Sequence, residues 1–241
     1  MQHQFRRIVC SGCGESLDVP VYCGDRFCPV CSVTRSIRVK RRLTWLVDQQ
    51  SKLPNQSFFF WTFSLKNCTD LTKGIKQLQL AFRRLRNRAY WKNHVTGGGF
   101  VIEIKGHPGN WHPHIHAILY SNWMKWDTVF TLWRKCSGGR GCYVKLIPKS
   151  AAVAYVTKYL SKPDVPDQVA IEISAALKGI RLFAPIGAWH AGNKSYPKKA
   201  TPCKRCGSSH WMDWDVASGN FPQPHFKDFD LRPKPLPFSA P

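Results

Sequence analysis

GFVIEIKGHPGNWHPHIHAILY, residues 99–120, is the stretch whose reading decides the fold. Its two apolar segments, GFVIEIK and HPHIHAILY, read as strands, and the Gly- and Pro-bearing GHPGNW joins them as a turn. In the second strand His112, His114 and His116 occupy alternate positions. They therefore point to one face, while Pro113, Ile115 and Ala117 point to the other. Three of the nine histidines fall within these five residues. Three imidazoles on one face are hard to bury without a ligand or a counter-charge. The neighbouring strand supplies Glu103, a carboxylate among apolar residues in a chain with 14 acidic side chains in all. A glutamate beside two imidazoles makes a competent divalent-metal site with positions left open for substrate. Such a mixed set suits manganese, with magnesium as the alternative. The plainer reading of Glu103 is an ion pair with a nearby lysine or histidine.

Outward from the hairpin, the chain alternates helical and strand-like segments. SFFFWTFSL (residues 57–65) is a buried strand by its aromatic run and length. Leu71, Ile75, Leu78, Phe82 and Leu85 recur at steps of three and four, which predicts an amphipathic helix over 71–90. Ser36 to Asp48 reads as a basic helix, and Trp123 to Lys135 as a tryptophan-rich one. YVKLIP (143–148) reads as a short strand and residues 150–161 as a further helix. This order gives an α+β layer built on an antiparallel sheet with flanking helices. Composition divides the chain into a Cys-rich module (1–34), a catalytic domain (35–165) and a C-terminal extension (166–241) that ends in a proline-rich tail.

Lysine and arginine number 36 against 14 acidic residues, a formal charge of +22. A surplus of that size points to a polyanionic partner, DNA before an anionic membrane. Arg35, Arg38, Arg41 and Arg42, the run just after the Cys-rich module, and Arg83, Arg84, Arg86 and Arg88 on the 71–90 helix, are the expected backbone-phosphate contacts. No stretch is apolar enough to span a bilayer and the N-terminus has no signal-peptide core, so a cytoplasmic location in the host cell is expected.

Ten cysteines in a reducing compartment point to metal rather than to disulfides. Cys10-x2-Cys13 and Cys28-x2-Cys31 have the spacing of a structural zinc site, with Cys23 as a spare able to replace one of the four. Cys203-x2-Cys206 with His210, joined by Cys136 or Cys142, is a second zinc candidate. Cys68 is read simply as buried.

In AAVAYVTKYLSK (151–162), Tyr155 and Tyr159 lie four residues apart, and Lys158 and Lys162 each follow a tyrosine by three. On a helix both phenols share a face. Tyrosines at this spacing ordinarily fill the edge of a core. Beside a histidine metal strand they become candidate nucleophiles, activated by a metal-polarised phosphate and an adjacent ammonium.

HPHIHAIL resembles the histidine–hydrophobic–histidine motif of HUH endonucleases, YVTKYLSK resembles their tyrosine motif, and TFSL resembles their first motif. With the lead-in RFCPVCSVTRS, the order and spacing are similar to those of rolling-circle replication initiators of plasmids and single-stranded DNA phages, over residues 10–162. The resemblance implies a ferredoxin- or RRM-like sheet with the histidines on a central strand. It implies His114, His116 and Glu103 as ligands of the catalytic Mn2+ or Mg2+; the structural metal, Zn2+, is read from the cysteine spacing alone. Tyr159 stands at the nucleophile position, and Tyr155 stands where some single-tyrosine members carry glutamate, as in the two-tyrosine class. The implied activity is nicking of a single-stranded origin segment to give a 5′-phosphotyrosine and a 3′-hydroxyl primer, followed by rejoining, with Lys158 or Lys162 offsetting charge. A host polymerase and, in the absence of a phosphate-binding GK[ST] loop, a host helicase are the implied partners. The alternatives are a single-strand transposase or relaxase of the same superfamily, and a non-catalytic zinc-finger regulator of nucleic acid.

Overall fold

The central hairpin forms as its alternation demands: β4 (Val95–His107) pairs antiparallel with β5 (Asn110–Ser121). The computed structural model of the chain describes residues 4–21, 23, 25, 27–50, 56–139, 141–158, 167–197 and 201–214. Pairing runs to His107 opposite Asn110, so the turn is Pro108-Gly109, with Gly109 at a positive φ of 81°. On the other edge of β5 lies β3 (Ser57–Ser64), then β6 (Gly141–Ile147). A short strand, β7 (Ala184–Gly187), is added outside β4, giving the order β6-β3-β5-β4-β7 with every pair antiparallel. β5 is thus the middle strand, and its Ile115, Ala117, Ile118 and Leu119 are completely buried. The architecture is α+β, an antiparallel sheet flanked by helices, as the order of elements implies.

Period-two alternation sorts the sheet's side chains into two layers. On the back face, the Phe63 ring packs 5.1 to 6.2 Å from the rings of Phe82, Trp91 and Trp133. Those rings come from α2 (Leu71–Arg86), α3 (Ala89–His94) and α4 (Trp126–Ser137). On the front face, Phe58, Phe60, Val101, Ile118 and Tyr120 are covered by α1 (Pro29–Gln50), α5 (Lys149–Thr157) and α7 (Ala188–Lys194). These helices contribute Leu43, Leu46 and Val47, then Ala152 and Val156, then Trp189. The histidines of β5 occupy the same face as this cluster, farther toward the start of the strand.

Three differences from the sequence expectation have local causes. The helix predicted over 71–90 ends at Arg86, where Asn87 caps it, and a separate α3 follows. The first helix starts earlier, at Pro29, which suits a first helical turn because its missing N–H has no intrahelical role there. Residues 167–194, which lack a long periodic pattern, carry α6 (Asp167–Ala176), β7 and α7. The glycine run 97–99 explains how these later segments dock. A Cβ on Gly99 would strike the Phe183 ring, and one on Gly97 would meet Trp189 Cδ1 at 2.7 Å.

The chain divides into two compact units, residues 36–196 and residues 1–35 with 197–241. The first holds the five-stranded sheet. In the second, β1 (Phe5–Cys10) pairs with β2 (Ser16–Pro20) on one side and with β8 (Trp211–Trp214) on the other. Among the described residues no helix is long and apolar enough to cross a membrane.

Candidate active site

Cross-strand register assembles the histidine site. Glu103 lies directly opposite His114, Val101 opposite His116 and Lys105 opposite His112, and on the other edge Thr62 lies opposite His116. Directly opposed residues share a face, so the glutamate, the three histidines and Thr62 point the same way. The imidazoles of His112 and His114 stack with centroids 4.2 Å apart, and those of His114 and His116 lie 5.9 Å apart.

One oxygen organises the cluster. Glu103 Oε2 is 2.8 Å from His116 Nε2, 3.9 Å from His114 Nδ1 and 3.8 Å from Lys105 Nζ. Burial disfavours the Glu103 carboxylate. The His116 hydrogen bond and the charges of His116, Lys105 and His114 outweigh it and hold the group below its ordinary range. Burial, then the charge of His112, pushes His114 down to about 4. That imidazole is therefore neutral near pH 7, with a lone pair to offer. Its Nδ1 is buried and makes no hydrogen bond. A buried nitrogen left without a donor or acceptor is costly unless something else meets it. A carboxylate, a neutral imidazole with an unused nitrogen and a second imidazole converging on one oxygen fit a divalent cation in donor chemistry. Thr62 Oγ1, 3.1 Å from His116 Nδ1, fixes that ring from behind, as partners of ligating histidines do.

Tyr155 belongs to the same face. The Phe60 ring stacks on His116 at 5.5 Å, with 9° between planes, and meets the Tyr155 ring at 5.2 Å. One aromatic ring therefore separates tyrosine from imidazole. Lys145 Nζ donates to the Tyr155 hydroxyl at 2.7 Å, and this bond raises the Lys145 pKa above its ordinary value. Lys158 Nζ stands 5.6 Å from the Tyr155 ring centroid. Tyr159 and Lys162 lie outside the described residues. Lys145 was not among the residues singled out from sequence. Its only signal there was the alternation of YVKLIP, which says nothing about the strand it pairs with.

The two arginine groups fare differently. Arg41 is exposed, Arg35, Arg38 and Arg42 are half-buried, and Arg42 lies 5.4 Å over the Tyr196 ring. Arg83, Arg84 and Arg88 are exposed, but α2 lies behind the sheet, on the face away from the histidines. Arg86 is drawn onto the rings of Phe82 and Phe100 at 5.3 and 5.7 Å, and burial lowers its pKa. It serves packing.

The thiols group differently from the spacing-based expectation. Cys10 and Cys13 meet Cys203 and Cys206, not Cys28 and Cys31, with all four sulfurs within 4.8 Å of one another. Cys10 Sγ is 3.5 Å from Cys206 Sγ and Cys13 Sγ is 3.7 Å from Cys203 Sγ. Zn–S bonds of about 2.3 Å in a tetrahedron put sulfurs about 3.8 Å apart, so this spacing suits zinc. The two Cys-x2-Cys turns repeat one design. Gly14 N donates to Cys10 O and Gly207 N to Cys203 O, each at 2.9 Å, with both glycines at positive φ, 71° and 74°. Cys10 N bonds Glu15 O and Cys203 N bonds Ser208 O in the same way. A backbone N–H at Glu15 favours the Cys13 thiolate, but burial and the three neighbouring sulfurs push that thiol to about 12, whereas Cys10 is lowered to about 7. Four adjacent thiols cannot all ionise without a cation between them. His210 stands outside this group, donating its backbone N–H to Ser208 Oγ, and Cys136 and Cys142 do not join it. Cys68 is half-buried, bridging by backbone to Trp111 and packing against Gly74.

A family model described as "Replication protein" (Rep_1) matches residues 15–196. Curated proteins named "Protein rep" are similar over shorter spans. That of Streptococcus pneumoniae serotype 2 (strain D39) is 31% identical over 103 residues, 41% of this chain and 32% of that protein. Those of a Bacillus species and of Bacillus amyloliquefaciens are 26% and 25% identical over 125 residues, 47% of this chain and 41% and 37% of theirs. The match thus spans between a third and two fifths of the length of these relatives. No solved structure matches the chain.

Proposed function

The chain belongs to the Rep family of plasmid rolling-circle replication proteins in the HUH superfamily, and from that premise we propose that it initiates replication by nicking one strand of an origin with a tyrosine. The observation that carries this reading is that Glu103 Oε2 lies 2.8 Å from His116 Nε2 and 3.9 Å from His114 Nδ1, with Tyr155 one ring away across Phe60. Glu103, His114 and His116 would hold manganese or magnesium. When bound, the ion polarises the scissile phosphate and offsets the negative charge that grows on it.

The rest is work for the chain's own side chains. Thr62 Oγ1 orients the His116 ring, and the Lys145 ammonium holds the Tyr155 oxygen in place for attack. Attack by Tyr155 or Tyr159 forms an oxygen–phosphorus bond while the bond from phosphorus to the 3′ oxygen breaks. The proton given up by the phenol ends on the 3′-hydroxyl. The second tyrosine repeats the exchange at the regenerated junction, and the 3′-hydroxyl it frees attacks the first phosphotyrosine, rejoining the strand and returning the proton to the first phenol, with Lys158 or Lys162 offsetting charge. One phosphodiester replaces another at each step, so no ATP is consumed. The free 3′-hydroxyl would prime a host polymerase in the cytoplasm, with a host helicase opening the duplex.

The test is nicking of supercoiled DNA that carries the chain's own origin, with manganese and then with chelator. Glu103→Gln keeps the side chain's size and removes its charge, and it is expected to cut at least 100-fold more slowly, as loss of metal-mediated charge stabilisation implies. Unchanged nicking by this variant would overturn the metal assignment.

A further inference from the structure

We propose that Cys23, Cys28 and Cys31 bind a second zinc ion, separate from the Cys10–Cys13–Cys203–Cys206 centre and more readily exchanged. The three sulfurs lie within 4.8 Å of one another, and Cys23 Sγ is 3.6 Å from Cys31 Sγ. That separation is far beyond the roughly 2.05 Å of a disulfide. It is also too close-set for an iron–sulfur cluster, in which cysteine sulfurs are spread over several irons. A single tetrahedral ion accounts for it.

The loop is built around the trio. The Cys31 N–H points at Cys28 Sγ at 3.4 Å, the arrangement that stabilises a ligating thiolate. Phe27 N–H donates to Asp25 Oδ1 and Arg35 Nη2 to Asp25 O, each at 2.7 Å, folding the loop back onto α1. The N-terminal end of that 22-residue helix adds a favourable potential for thiolate charge. Cys31 is 2% exposed, so its sulfur is packed inward beside Cys23 and Cys28 rather than offered to solvent. Three thiolates fill three corners of a tetrahedron. The fourth corner goes to a ligand from outside the trio, so this ion exchanges faster than one held by four sulfurs of the chain itself.

Cadmium titration of the full chain tests this, because sulfur-to-cadmium absorption reports thiolates alone and is blind to the histidine–glutamate site. The expected end point is two thiolate-bound ions per chain, with absorption proportional to seven thiolates. Cys31→Ser and Cys23→Ser should each remove one ion, and Cys203→Ser the other. In the wild type a chelator should strip the trio's ion first. Saturation at one ion with the absorption of four thiolates would overturn the proposal even if Cys31→Ser failed to fold. A Cys23–Cys31 disulfide in the wild-type protein purified under reducing conditions would do the same.

Discussion

Lys145 separates a working tyrosine from a merely packed one. Tyr155 touches the core through Phe60, as any tyrosine at a helix edge does, but its hydroxyl is held by an ammonium at 2.7 Å. If that contact serves attack on phosphate, Lys145→Met should slow Tyr155-dependent cleavage by about 10- to 100-fold, in line with losing one charge-stabilising group. Lys145→Arg, which keeps the charge, should restore much of the rate. Cleavage unchanged in Lys145→Met would leave the pair as packing. The histidine–glutamate set was legible in the sequence because alternation fixes which histidines share a face and the short hairpin turn sets the register that brings Glu103 opposite them. Lys145 was not, since its meeting with Tyr155 depends on β6 pairing with β3 and on where α5 packs. Arg86 shows the opposite failure: a charge that the helix pattern assigns to backbone phosphate lies on two aromatic rings instead.

At the scale of elements, the sheet owes its front layer to the glycines of β4. The close approach of Phe183 and Trp189 to the strand leaves no room for a side chain at Gly99 or Gly97. Gly99→Val should therefore cost about 1–3 kcal/mol by overpacking, despite the better strand propensity of valine. Thermal denaturation would show a lowered midpoint, and a midpoint at or above wild type would contradict the packing described. β3, β4, β5 and α2 were readable because each carries a long apolar period. β7 was not, for four residues carry no usable period and its place is set by β4 alone.

Across the whole molecule, cysteine pairing marks the limit of reading by spacing. Cys-x2-Cys identifies half of a site, but which halves meet is a matter of long-range topology. Here Cys13 meets Cys203 across 190 residues of chain because β8 pairs with β1. The four sulfurs therefore bring the Cys10 and Cys203 turns together within one small unit. Stripping metal with a strong chelator should expose the amides of β1 and β8 to hydrogen exchange while those of β5 stay protected. Persistent protection of β1 would show that this unit folds without metal.

Tyrosine attack at the histidine site is the central proposal. Its direct test is to incubate the protein with manganese and end-labelled origin DNA, then look for a covalent adduct on a denaturing gel and map it by mass spectrometry. The prediction is a metal-dependent 5′-phosphotyrosine on Tyr155 or Tyr159, absent from His114→Ala and from the Tyr155→Phe, Tyr159→Phe double variant. Cleavage without an adduct, or an adduct that persists in either variant, would contradict it.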